Sequence, residues 1–248
     1  MFLGAAHGAP APRSYAVMSL VGDTVHTRSL VPAYGNDAET NVLVPITDRV
    51  FDVSALTTAN TAIQRFQPGA KVVALMTDDR GLYAAQNAMF DAPAANQENR
   101  AYLRSLLKER GVTHLILVTK LKANLVIPLK VGTTGTGSAE GLGILIDDTT
   151  WLRNVKTGYQ HGLLAPFAYM TLRLLDADTL DVVAEAQVKP STIIVDPMRE
   201  PDAKSVWESL PTAKKVSAIE SVLTCGLKSA IPVLLAAKTT EVAAAACQ

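Results

Sequence analysis

The chain has 248 residues, 48% apolar and 19% charged, and its 23 basic and 23 acidic side chains give a formal net charge of zero. That apolar share excludes intrinsic disorder, and the charge balance excludes a nucleic-acid binder, which needs clustered Lys and Arg to displace counterions from phosphates. No run of 18 apolar residues occurs, and the most apolar stretch, 216–237, is interrupted by Glu220, Lys228 and Pro232, so no transmembrane span is expected.

Residues 1–13, MFLGAAHGAPAPR, are small, apolar and Pro-rich. They read as a flexible N-terminus or as the remnant of a signal peptide, with Ala9-Pro10-Ala11 resembling a cleavage site. Ser14 to Val21 is short, apolar and β-branched, a buried strand closed by Gly22-Asp23. Residues 24–50 hold Pro32, Gly35, Asn36, Asp37 and Pro45 and read as loop with two short edge strands. Asp52 is the expected N-cap of a helix to Phe66, which Gln67-Pro68-Gly69 stops; Lys71 to Thr77 is a second strand. A short helix at 81–90 and a Pro/Ala break lead to a helix at 96–110. There Leu103, Leu106 and Leu107 make a core stripe, and Arg100, Arg104 and Lys108 a polar row. Gly111 supplies the helix stop, and His114 to Thr119 reads as a central strand. Strand 71–77, helices and strand 114–119 form a βαβ unit, hence a parallel pair with a right-handed crossover.

Beyond it, residues 120–131 continue extended with a bend at Pro128. Gly132 to Gly143 (GTTGTGSAEGLG) reads as a loop, and residues 144–146 as a short strand. Segments 168–175 and 180–188 form a hairpin through Asp176-Ala177-Asp178-Thr179. A short strand at 193–195 and a helix-rich end from Asp202, broken near Pro211 and Pro232, complete the reading. The fold class is therefore α/β (α+β): a single mixed sheet with a parallel βαβ core, an antiparallel hairpin and flanking helices. It is expected as one domain over 14–237 with a tail at 238–248. Cys225 falls in a helical pattern as a small core residue. Cys247 would lie roughly 33 Å away along a continuous helix, so pairing requires the tail to fold back.

The chemistry-bearing residues are few. Gly135, Gly137, Ser138, Glu140, Gly141 and Gly143 lie in the Gly-rich segment, where glycines would let a ligand or partner approach the backbone. No Walker Lys-Ser/Thr follows, and the next residues are strand-like rather than helical. Asp78 and Asp79 follow a parallel strand, where α/β folds place their sites, and they also suit the cap of the next helix. Asp147-Asp148 follow a strand in the same way. His161 beside Gly162 is a loop candidate; the four histidines show no metal-ligand spacing. Asp176 to Asp181 lacks the glycine and bidentate Glu of a calcium loop. Gly22-Asp23-Thr24 lacks the serine of a flat-lipase start. No catalytic residue, metal site or cofactor is assigned.

Helix, Glu109-Arg110-Gly111-Val112-Thr113 and strand His114-Leu115-Ile116-Leu117-Val118 are followed by the strand-turn-strand of 171–183. Together they resemble the envelope α/β domain shared by the curli-secretion lipoprotein, the outer-membrane activator of penicillin-binding proteins, FlgO-type proteins and the TolB N-terminal domain, over about residues 97–188. The resemblance implies a non-catalytic periplasmic or outer-membrane-associated protein that binds an envelope protein or itself, without nucleic acid, and with at most peripheral membrane association. Were Met1 the true start, the location would be cytoplasmic. The competing reading is a small-molecule or nucleotide-binding enzyme using the 132–143 segment with Asp78 and Asp79. An exposed sheet edge or groove, at 24–50 or 120–165, is what the binding reading expects.

Overall fold

Alternation of side chains decides where each strand sits. In the computed structural model, which describes residues 13–31, 38–154, 158–194, 206–208 and 210–236, β1 (Ser14–Ser19) sends Tyr15 and Val17 to one buried face and Ala16 and Met18 to the other. Period two with both faces apolar requires cover on both sides, and the rest of the chain supplies it. β2 (Thr24–Val31) and β3 (Ala38–Pro45) form an antiparallel pair, and α1 (Val50–Phe66) follows. β4 (Lys71–Leu75) leads into α2 (Arg80–Ala85), α3 (Ala88–Asp91), a 3-10 turn (Pro93–Asn96) and α4 (Gln97–Arg110). α4 stops where Gly111 takes the left-handed conformation, φ 58°, which a Cβ would strain.

β5 (His114–Lys120) runs parallel to β1, and β1 runs parallel to β4. The expected parallel relation of the 71–75 and 114–120 strands holds, with β1 inserted between them. Short strands β6 (Lys122–Asn124), β7 (Ile127–Pro128) and β8 (Thr133–Thr134) lead into two long ones, β9 (Ser138–Asn154) and β10 (Gly158–Asp176). β11 (Val182–Val188) completes the expected hairpin. The result is a nine-stranded mixed sheet in the order β3-β2-β9-β10-β5-β1-β4, with β11 on β10 and β6 on β9, plus the two-stranded β7-β8.

Several expectations change. Residues 24–50 carry two eight-residue strands, and β2 is interior, parallel to β9. The Gly-rich segment holds the short strand β8 in its first half; from Ser138 it is part of β9, and Asp147 and Asp148 lie inside that strand. His161 lies in β10 opposite Trp151, not in a loop. Among the described residues the helical end is one element, α5 (Thr212–Leu235), entered from Pro211 and running through Pro232. Pro232 sits in the last turn, where its missing donor leaves one carbonyl unbonded, while Ile231, Leu234 and Leu235 stay buried and hold the turn. α5 has the length and apolar content of a membrane-crossing helix. Its apolar stripe, including Ile219, Leu223, Leu227 and Ile231, is buried in the core.

α1 and α5 cover one face of the sheet, packing on Tyr15, Val17, Ile116, Val118 and Leu172. α2, α3 and α4 cover the other at its parallel end, on Met18, Leu115 and Leu117, with Leu103 and Leu107 from the expected stripe. Leu125 and Ile127 cover Leu145, Leu163 and Phe167 beside them. Residues 1–12 and the C-terminal segment from 237 lie outside the described residues, as does the latter part of the 193–195 strand. What is described of that strand is a single bridge from Ile194 to Leu164 and one from Ser191 to Phe167.

Candidate functional site

The three parallel strands end together, and a cleft of about 870 Å³ opens beyond their carboxyl ends. The connections leaving β1 and β4 place α1 on one face and α2 on the other, the chain reversal beside which α/β folds hold ligands. Here the protein's own groups fill the crevice. Asp52 is not an N-cap; it lies in the first turn of α1, 5% exposed, and reaches into the strand ends. Ser19 Oγ donates to its Oδ1 at 2.6 Å, the Gly22 amide to the same oxygen at 3.1 Å, and Tyr83 OH to Oδ2 at 2.6 Å. A Cβ at Gly22 would stand 2.5 Å from Asp52 Oδ2, so the strand end and the helix can meet only at a glycine. Burial pushes the Asp52 carboxyl above the ordinary carboxylate value, against the pull of these hydrogen bonds. The Tyr83 hydroxyl is likewise pushed up, by burial and then by its bond to Asp52.

The charged groups around Asp52 are held by one another. Lys120 Nζ, at the end of β5, lies 2.5 Å from Asp23 Oδ1 and donates to Thr24 Oγ1 at 2.6 Å. Arg49 pairs with Asp78. Beneath them Gln86 accepts from the Lys120 amide at 2.7 Å, and Asn87 donates to the Lys120 carbonyl at 2.8 Å. Arg173, on β10, donates to Glu185 at 2.8 Å and to Thr119 at 3.2 Å, and lies over the Phe90 ring. Among the described residues no group of three His, Cys, Asp or Glu side chains is placed to hold a metal.

The sequence candidates fall in different places. Asp78 and Glu140 both line the cleft. Asp79 caps α2, accepting the Gly81 amide at 2.8 Å. Gly135 packs on the Leu125 backbone and Gly137 on the Arg28 guanidinium, and Arg28 donates to the Ser138 carbonyl. Gly141 faces the Lys120 stem. Gly143 is the tightest: a Cβ there would stand 2.2 Å from the Phe167 ring and 2.3 Å from the His26 carbonyl. These four glycines therefore have intramolecular reasons to be glycine. Asp147 is fully buried and accepts from Thr134, Thr149 and Thr150, which shapes an irregularity in the β9–β10 pairing between His161 and Leu163. Asp148 accepts the Val206 amide at 3.1 Å. Asp176 accepts from Asp178 and Thr179 and so closes the hairpin turn.

A second feature adjoins the cleft: β3, last in the strand order, contributes Leu43 and Pro45 to its lining. Among the described strands β3 is terminal, and Thr40 to Pro45 are all exposed. Val42, Leu43 and Val44 are 53%, 61% and 41% exposed. The sequence places two short edge strands and an exposed sheet edge within 24–50; the strands are longer than expected, because the turn-forming residues that suggest loop lie between and beside them. His26 holds the strand from inside. Its Nδ1 accepts the Glu140 amide, so the proton sits on Nε2, which donates to Asn41 Oδ1.

No family model and no curated protein matches the chain. Among solved structures it is similar to a Xanthomonas campestris protein described as DUF330, at 10% identity and TM-score 0.35 over 92% of this chain and 89% of that one. It is also similar to the PelC dodecamer from Paraburkholderia phytofirmans, at 12% identity and TM-score 0.25 over 86% of each. At these scores neither likeness carries a functional argument, and neither assigns the chain to a family.

Proposed function

We propose that the protein is a non-catalytic binding or assembly protein of the cell envelope, acting through protein–protein contacts at β3. The observation that carries this reading is the sheet edge: a strand terminal among the described ones, with three adjacent apolar side chains exposed. Native sheets usually blunt such edges with charge or cover them, because unpaired backbone groups recruit another strand. The oxidised cysteine supports the compartment. Cys225 is disulfide-bonded, and such bonds persist in oxidising compartments. A photo-crosslinking side chain in place of Val44, used in cells, is expected to give an adduct of defined mass, with none from the same group at exposed Thr57 on α1. No adduct, or equal labelling at both positions, would remove the reading.

A second reading, a small-molecule site in the cleft, draws on its volume and on Asp78 and Glu140 sharing its lining. Against it stand the ion pairs and hydrogen bonds that engage Asp52, Lys120 and Arg49. A nucleotide or anion panel that raises the melting temperature of the wild type but not of Arg49→Ala, a cleft-lining cation, would establish it.

A further inference from the structure

The backbone of β3 narrows what can dock there. The Ile46 amide donates to the Asp23 carbonyl at 2.8 Å, and the β2–β3 register places these residues opposite one another. Antiparallel pairs alternate, so Val44 and Val42 also bond inward to β2, while Asn41, Leu43 and Pro45 turn their backbone groups outward. Pro45 has no donor, which closes the end of the edge; among the described residues no backbone partner meets the outward groups of Asn41 and Leu43.

We propose that this edge pairs antiparallel with β3 of a second copy of the chain, about a two-fold axis through Leu43, a proposal resting on the binding role given above to β3. In that register Leu43 of each copy exchanges both hydrogen bonds with its counterpart. Each Asn41 amide meets the carbonyl of the second copy's Pro45, the one outward group that proline retains. Val42 of each copy stands opposite Val44 of the other, an apolar cross-strand match that strengthens pairing. Charge permits it: residues 40–46, TNVLVPI, carry none, and the whole chain is neutral, so two copies approach without repulsion. A two-fold pairing also closes at the dimer. Contact between β3 and the opposite edge, β4, would run head to tail and propagate. The area sets the strength. One short strand with its side chains buries less than the roughly 800 Å² per partner of a standard interface, so dissociation on the order of tens of micromolar is expected.

Sedimentation velocity over about 1–300 µM tests this, with the full chain in its oxidised form. Wild type is expected to pass from monomer to dimer, with less than about a twofold change in dissociation constant between low and high salt. Leu43→Lys is expected to stay monomeric with an unchanged melting temperature. Leu43→Cys, across a pair whose Cα atoms lie about 5.5 Å apart, is expected to form a disulfide-linked dimer at least tenfold faster than Thr57→Cys. A wild-type monomer at every concentration, growth beyond the dimer, or equal oxidation of the two cysteine variants overturns the proposal. If wild type stays monomeric while the Val44 cross-linker still gives an adduct of another mass, the second copy is wrong and the binding role of β3 stands. If both fail, both fall.

Discussion

Single residues carry the sharpest tests. Burial pushes the Asp147 carboxyl up, but the hydrogen bonds from Thr134, Thr150 and Thr149 outweigh it and hold the group below the ordinary carboxylate value. A depressed folded pKa contributes stability that is present above the unfolded value and lost as pH falls through the folded one. Asp147→Ala is therefore expected to cost about 2–3 kcal/mol at pH 7 in denaturant titration, and less in acid as the wild type loses its own advantage. Asp52 has the opposite sign. Its raised folded pKa favours the protein at low pH, and that advantage declines as pH rises from the unfolded value through the folded one. Asp52→Asn should flatten this decline, measured as melting temperature against pH. Burial also lowers the His26 pKa, ahead of the opposing bond to Asn41, so neutral His26 secures β3 and acidification below that lowered value should loosen it. Gly143→Ala drives a methyl group into the Phe167 ring and the β2 backbone and is expected to cost about 3 kcal/mol or to prevent folding.

Elements show what a sequence makes legible. β1, α4 and β5 could be read because their patterns are strong: apolar runs of strand length, a Leu stripe at helical spacing, and a glycine where the left-handed stop is needed. β9 could not. Its glycines look like loop punctuation, whereas Gly143 is a glycine because Phe167 and β2 crowd it, a cause that exists only after folding. Asp52 was hidden for the same reason: a carboxylate near a helix start reads as a cap, and only the meeting of α1 with the end of β1 turns it into the centre of the cleft. The fold was thus visible through local periodicity, while the candidate site was mostly not, because its partners come from four separate segments. For β3, Leu43→Lys should change stability by no more than about 0.5 kcal/mol, since the side chain is already in water, and should remove association. Equal loss of stability and association would mean that the strand has an internal partner.

For the whole molecule, the cysteine state and the strand order are the global constraints. In unfolded, unreduced protein Cys225 is expected to resist a thiol-specific dye and to react after reduction, read by peptide mass mapping. The strand order has a consequence for how the molecule is made. β1, among the first segments synthesised, is flanked by strands from residues 71–75 and 114–118, and β2 takes one of its two neighbours from residues 142–147. β1 therefore has both neighbours only near the middle of the chain and β2 only beyond it, and α5 arrives last. Fragments ending at Asn154, which lack β10, should remain protease-sensitive and unable to protect β1 from hydrogen exchange. A chain whose first strands find partners about a hundred residues or more downstream leaves those strand edges unpaired through the first half of its synthesis.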